Sequence, residues 1–122
     1  MENEQHGKLH ILFVCARNRW RSPTAERLYR NDRRMVVRSA GLSEKSPHPL
    51  SEADIKWADL ILVMEADQKS RIAEKYRHLQ LPQIASLDIP DEYEYMEAEL
   101  IEYIRRGVEY HITGFANHGK SP

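Results

Sequence analysis

The sequence predicts a single α/β domain built on a mostly parallel sheet. Two apolar runs of strand length, Leu9 to Val14 and Ala58 to Met64, lack the polar alternation of a half-exposed strand and read as strands buried on both faces. Segments with apolar residues at helical spacing alternate with them, which is the pattern of βαβ units. No repeat, low-complexity tract or linker divides the 122 residues, a length that buries one core. Residues 8–114 are therefore expected to form the domain, with 1–7 a frayed N-terminus and 115–122 a tail.

Taken in order, the first strand is Leu9 to Val14. Ser22 followed by Pro23 reads as a helix cap and a first-turn proline, and Ala25, Leu28 and Tyr29 continue at helical spacing, so a helix is expected over Pro23 to Asp32. Met35 to Ser39 is a second, β-branched strand closed by Ala40 and Gly41, and Ser43 to Pro49 is a loop by its Ser and Pro content. Ser51 can cap a short helix ending at Trp57. The third strand is Ala58 to Met64, followed by a solvent-facing helix over Ala66 to Tyr76 and a weak fourth strand over Gln83 to Leu87. Leu100, Ile101, Ile104, Val108 and Ile112 recur with helical period, so a last amphipathic helix spans Glu97 to Thr113 and frays after Gly114.

Composition narrows the function classes. No apolar run approaches the ~20 residues of a membrane span, and the polar start has no hydrophobic segment behind a basic one, so a cytoplasmic protein without membrane contact is expected. The single cysteine, Cys15, rules out an internal disulfide and any cysteine relay within the chain. No two histidines fall at i, i+4 around an acidic residue, so no metal site is expected. Net charge is −1, yet arginines crowd the first third and carboxylates the segment 88–102. The arginines do not fall in a nucleic-acid motif, and no nucleic-acid partner is expected. An anion-seeking site is the sharper reading of the basic third.

That site is the turn after the first strand, Cys15-Ala16-Arg17-Asn18-Arg19-Trp20-Arg21-Ser22. In an open parallel sheet, ligands bind at the carboxyl ends of strands, and the first turn into a helix favours anions. A cysteine and an arginine six positions apart bracket a loop short enough to curl round one phosphate, with backbone N–H groups turned inward. Such surroundings favour a thiolate, and Arg21 supplies a planar fork that fits two phosphate oxygens.

The block Ile11-Leu-Phe-Val-Cys15-x-x-Asn18-x-x-Arg21-Ser22-Pro23-Thr-Ala-Glu26 resembles the low-molecular-weight protein tyrosine phosphatase superfamily, in particular a small bacterial branch. Ser39-Ala-Gly41, Ala58 to Met64 and Leu87 to Met96 match further family blocks, so the resemblance covers about Lys8 to Val108. It implies a four-stranded parallel sheet in order 2-1-3-4 flanked by helices on both faces. It further implies a metal-independent, cofactor-free hydrolase of phosphorylated proteins or small phosphomonoesters, with phosphate or sulfate held by residues 16–22. Cys15 would be the nucleophile and Arg21 would bind the phosphoryl group. Asn18 would take the strained turn, Ser22 would donate to the thiolate and Ser39 would brace the loop through Asn18. Aligning Tyr93 selects Asp91 as general acid, with Asp88 as the alternative. Arg17, Arg19 and Tyr93 would rim the substrate entrance, with Tyr95 near it.

The chain also departs from the family pattern. Arg17 stands where glycine is usual, which implies strain if that position needs positive φ. Trp20 replaces a second loop cysteine, and His48 is displaced from the place of the family's loop-supporting histidine. Two other functions follow from these features: arsenate reduction with a thiol cofactor such as glutathione or mycothiol, and non-catalytic binding of phosphate or phosphoprotein.

Overall fold

A computed structural model describes residues 7–119, with side chains through Gly114. The elements are β1 (Leu9–Cys15), α1 (Arg21–Tyr29), β2 (Met35–Gly41), α2 (Glu52–Trp57), β3 (Leu60–Val63), α3 (Ala66–Lys75), β4 (Gln83–Ser86) and α4 (Ala98–Gly119). All pairings are parallel, and the strand order is β2-β1-β3-β4, as expected.

The unbroken apolar runs have the predicted cause. Along β1, Ile11, Phe13 and Cys15 join one core layer with Leu60 and Leu62 of β3, covered by Ala25 and Tyr29 of α1 and by Leu100, Ile104 and Val108 of α4. The alternate residues Leu12 and Val14 join Ile61 and Val63 in the opposite layer, covered by Ile55 of α2 and Ile72 of α3. With both faces buried, period-two alternation brings no polar residue into the centre. The order places β1 and β3 inside, so their carboxyl ends open onto one site between the edge strands.

Several boundaries differ from the sequence expectation. Helix α1 starts at Arg21, with Trp20 at its N-cap, so Ser22 does not cap it. Pro23 still falls in the first turn, where a missing N–H costs no intrahelical bond. The helix ends at Tyr29 rather than Asp32, because the Asp32 carboxylate turns back to accept from the Arg34 N–H at 2.9 Å. Strand β2 runs on to Gly41, which pairs with Cys15, whereas β3 spans only Leu60–Val63. The cap at Ser51 is present, with Asp54 completing a capping box. Helix α4 continues past Gly114 to Gly119, since one glycine costs a helix only about 1 kcal/mol. The expected frayed segment therefore lies outside the described residues except at Gly7, and the expected tail is helical as far as Gly119.

Candidate active site

The loop between β1 and α1 closes on Cys15. Cys15 is 97% buried, and its sulfur lies 3.0 Å from Ser22 Oγ, while the Asn18 N–H donates to it at 3.2 Å. Asn18 takes φ +56°, the left-handed conformation that asparagine tolerates, and Arg17 is not among the positive-φ residues. The strain expected at Arg17 is thus absent, because the turn's left-handed residue is the one after it.

The Asn18 side chain organises the loop from behind. Its amide donates to Ser22 Oγ at 2.9 Å and to Ser39 Oγ at 3.0 Å. Ser39 in turn donates to the Glu26 carboxylate on α1. Since Ser39 spends its proton on Glu26 and Ser22 accepts from Asn18, the Ser22 hydroxyl proton is left for Cys15 Sγ or, at 3.4 Å, for the Ala40 carbonyl. Glu26 was quoted in the sequence block with no role assigned. Its contribution shows only when β2 brings Ser39 beside α1.

Arg21 is 98% buried. Its Nη1 donates to Glu65 Oε2 at 2.6 Å and to the Ile89 carbonyl at 2.8 Å. Nε lies 3.6 Å from Asp91 Oδ1. The anchors hold Nη1, Nε faces Asp91 across the cleft, and Nη2 makes no hydrogen bond among the described residues. Glu65, at the carboxyl end of β3, escaped sequence reasoning: a lone glutamate before a helix carries no signal until β3 packs beside β1.

The segment after β4 brings a carboxylate over the loop. The Ile89 N–H donates to the Met64 carbonyl at 2.8 Å, and the Met96 N–H donates to Thr24 Oγ1 of α1 at 2.9 Å, so the chain is pinned at both ends. Between these pins Asp91 lines a cleft of about 340 Å³ together with Cys15, Ala16, Arg17, Arg19, Trp20 and Arg21. Two other expected residues fall elsewhere. Asp88 is exposed, with φ +58°, and its carboxylate accepts from Ser86 Oγ at 2.7 Å. Tyr93 does not line the cleft; it packs on the core and against Tyr103, with ring centroids 5.9 Å apart. Burial pushes its hydroxyl up to about 12. Asn18 and Ser22, named for phosphate binding, support the loop through their side chains rather than line the cleft. His48 is an exposed partner of Asp54, at 3.0 Å, and its ring makes no hydrogen bond to the loop. Among the described residues no three His, Cys, Asp or Glu side chains gather to hold a metal, and no helix is long and apolar enough to cross a membrane.

A buried cysteine under converging donors, an anchored arginine and a carboxylate across the cleft, all at the carboxyl ends of a doubly covered parallel sheet, define a cysteine-based phosphatase. Solved structures agree. YwlE arginine phosphatase from Geobacillus stearothermophilus is 25% identical over 90% of this chain and 97% of its own, with a TM-score of 0.65. A low-molecular-weight protein tyrosine phosphatase from Streptococcus pyogenes is 20% identical over 86% and 91%, with a TM-score of 0.72. The tyrosine phosphatase Wzb from Escherichia coli K30, in complex with phosphate, is 22% identical over 89% and 96%, with a TM-score of 0.59. No protein-family model matches the sequence, and no curated protein matches it significantly. The chain has the fold of the low-molecular-weight protein tyrosine phosphatases, which are hydrolases.

Proposed function

We propose that the protein hydrolyses phosphomonoesters, with phosphotyrosine in proteins as its substrate, through a phosphocysteine intermediate on Cys15. The observation that carries this reading is the pair of donors converging on one sulfur, Ser22 Oγ and the Asn18 N–H. Such donors stabilise an anionic nucleophile. The Cys15 thiolate attacks phosphorus in line, forming the S–P bond as the bond to the leaving oxygen breaks. Asp91 gives that oxygen its proton. Arg21 binds two phosphoryl oxygens through Nε and Nη2 as charge shifts in the transition state. Water, deprotonated by the same Asp91, then attacks phosphorus, and the sulfur leaves as thiolate.

The exposed Trp20 on the cleft wall offers an aromatic face to a phenyl ring. Likeness to an arginine phosphatase favours a second reading, protein phosphoarginine hydrolysis. Arg17 and Arg19 at the cleft mouth would oppose a substrate guanidinium, which is why tyrosine is preferred here. The test is turnover of p-nitrophenyl phosphate and of matched phosphotyrosine and phosphoarginine peptides without added thiol. A burst of nitrophenolate followed by steady release is expected, with the tyrosine peptide faster. Turnover only of arsenate with a thiol cofactor would establish the reductase, and phosphate binding without turnover would establish a binding module.

A further inference from the structure

Beside the catalytic cleft lies a larger groove of about 660 Å³, lined by Arg17, Arg19, Ser43, Lys45 and Pro47. It shares Arg17 and Arg19 with the cleft, so the two are continuous. Three of its five lining residues are cations, and none is acidic. Among the described residues Arg17, Arg19 and Lys45 form no ion pair, although Arg21, Arg34 and Arg38 all find carboxylates. The Arg19 guanidinium instead lies 5.0 Å from the Trp20 ring centroid, which holds it at the boundary of cleft and groove.

The groove is also fixed relative to the nucleophile. The Leu42 N–H donates to the Cys15 carbonyl at 3.0 Å and the Ser43 N–H to the Ala16 carbonyl at 2.9 Å. A Cβ on Gly41 would come within 2.9 Å of the Arg17 carbonyl carbon, so the wall and the phosphate loop touch backbone to backbone. A ligand part seated in the groove is therefore held at a set distance from a phosphoryl group on Cys15. The volume lies within the range of small-ligand sites and exceeds what a phosphoryl group requires.

We infer that this groove is a subsite for acidic residues flanking the phosphorylated residue, so that the substrate class is acidic phosphopeptide segments. The inference rests on the phosphatase reading and adds the substrate's chemistry to it. With the phosphotyrosine ring in the cleft, the substrate backbone lies at the cleft mouth, where Arg17 and Arg19 also line the groove, and its neighbouring residue is one step of about 3.8 Å along the chain. One carboxylate meeting one exposed cation at about 4 Å in water changes affinity about fivefold, and the effect is screened by salt.

The experiment compares two phosphotyrosine peptides, identical except for Asp and Glu or Gln and Ser flanks, with the wild type, Lys45→Glu and Lys69→Glu at about 0.01 M and about 1 M salt. Lys69 is an exposed lysine outside the groove lining and controls for net charge. Wild type is expected to favour the acidic peptide about five- to tenfold in kcat/KM at low salt and to lose that preference at high salt. Lys45→Glu should cut the preference about fivefold and Lys69→Glu should not. Equal rates on both peptides at low salt, or equal losses in the two variants, would overturn the inference. Turnover of p-nitrophenyl phosphate, which has no flanking acid, tests the phosphatase reading separately. Anisotropy of the labelled peptides on Cys15→Ser decides the groove's preference even where turnover fails: tighter acidic-peptide binding supports it, and equal binding refutes it.

Discussion

In the proposed mechanism Cys15 and Arg21 divide the chemistry between a nucleophile and an anion clamp, and neither would tolerate its nearest relative. Cys15→Ser should keep the fold, since a hydroxyl fits the same space, and abolish turnover of p-nitrophenyl phosphate, because an alcohol is not ionised near neutral pH. Unchanged circular dichroism with substantial activity would refute the cysteine mechanism. Arg21→Lys should lower kcat about 10²-fold, since an ammonium cannot hold Glu65 and the Ile89 carbonyl while presenting a fork to phosphate. The two aspartates separate in the same assay. Asp91→Asn is expected to reduce kcat about 10²- to 10⁴-fold with poor leaving groups, whereas Asp88→Asn, whose carboxylate is turned to Ser86, should stay within a fewfold of wild type. A reversed order would move the general acid to Asp88.

The element that matters most to the site is β2, although it carries no reacting group. Its carboxyl end brings Ser39 to Asn18 and lays Gly41 against the phosphate loop. A side chain at Gly41 would meet Ser46 Oγ at 2.0 Å and Arg17 backbone at 2.9 Å. The Ser46 hydroxyl can rotate away, but Ser46 Cβ, at 2.7 Å, and the loop backbone cannot yield without moving the turn at Ser46 and Asn18. Gly41→Ala is therefore expected to cost about 1–3 kcal/mol in denaturant unfolding and to lower kcat with it. Wild-type stability and activity in that variant would show that the two backbones are not in rigid contact. The same element explains why Ser22 meets the Cys15 sulfur without capping α1: a Ser-Pro pair at a helix start signals a cap, but β2 and Asn18 draw the hydroxyl toward sulfur and leave the N-cap position to Trp20.

At the scale of the molecule, α4 closes one face of the sheet and is fastened to α1 and the start of β2 by a polar cluster. Arg34 meets Asp32 and Glu109, both at 2.8 Å, and Tyr29 donates to Glu109 at 3.2 Å. Hydrogen bonds from Arg34 lower Asp32 and Glu109 below their ordinary values. They add stability above the unfolded values of about 4, and it is lost as pH falls through the lowered folded ones. Tyr29 behaves in the opposite sense. Burial, with help from Glu109, raises its hydroxyl to about 12. Between pH 10 and about 12 the unfolded chain releases that proton while the native state keeps it, so stability should fall as pH rises. Melting temperature against pH should therefore decline at both ends. Tyr29→Phe should lessen the alkaline decline, the rest of which falls to the likewise raised Tyr93, and an unchanged alkaline limb would show that Tyr29 does not contribute to it.

Local chemistry was enough for the strands and for the loop that closes on Cys15. Unbroken apolar runs reflect burial on both faces, and the spacing from Cys15 to Arg21 with Asn18 between them reflects what a tight anion loop demands of its own backbone. These are properties of neighbours in the chain, so they are written in order along it. Tertiary structure decided the rest. Glu26 and Glu65 act only because parallel pairing sets them beside residues 13 and 44 positions away. The alignment of Tyr93 already selects Asp91 over Asp88, and the structure supplies the reason: the chain is pinned at Ile89 and Met96, while a left-handed turn carries Asp88 outward. Lys45 joins Arg17 and Arg19 because the end of β2 docks on the phosphate loop. Contacts of this kind depend on how the sheet closes, and no period or motif in a single chain records them.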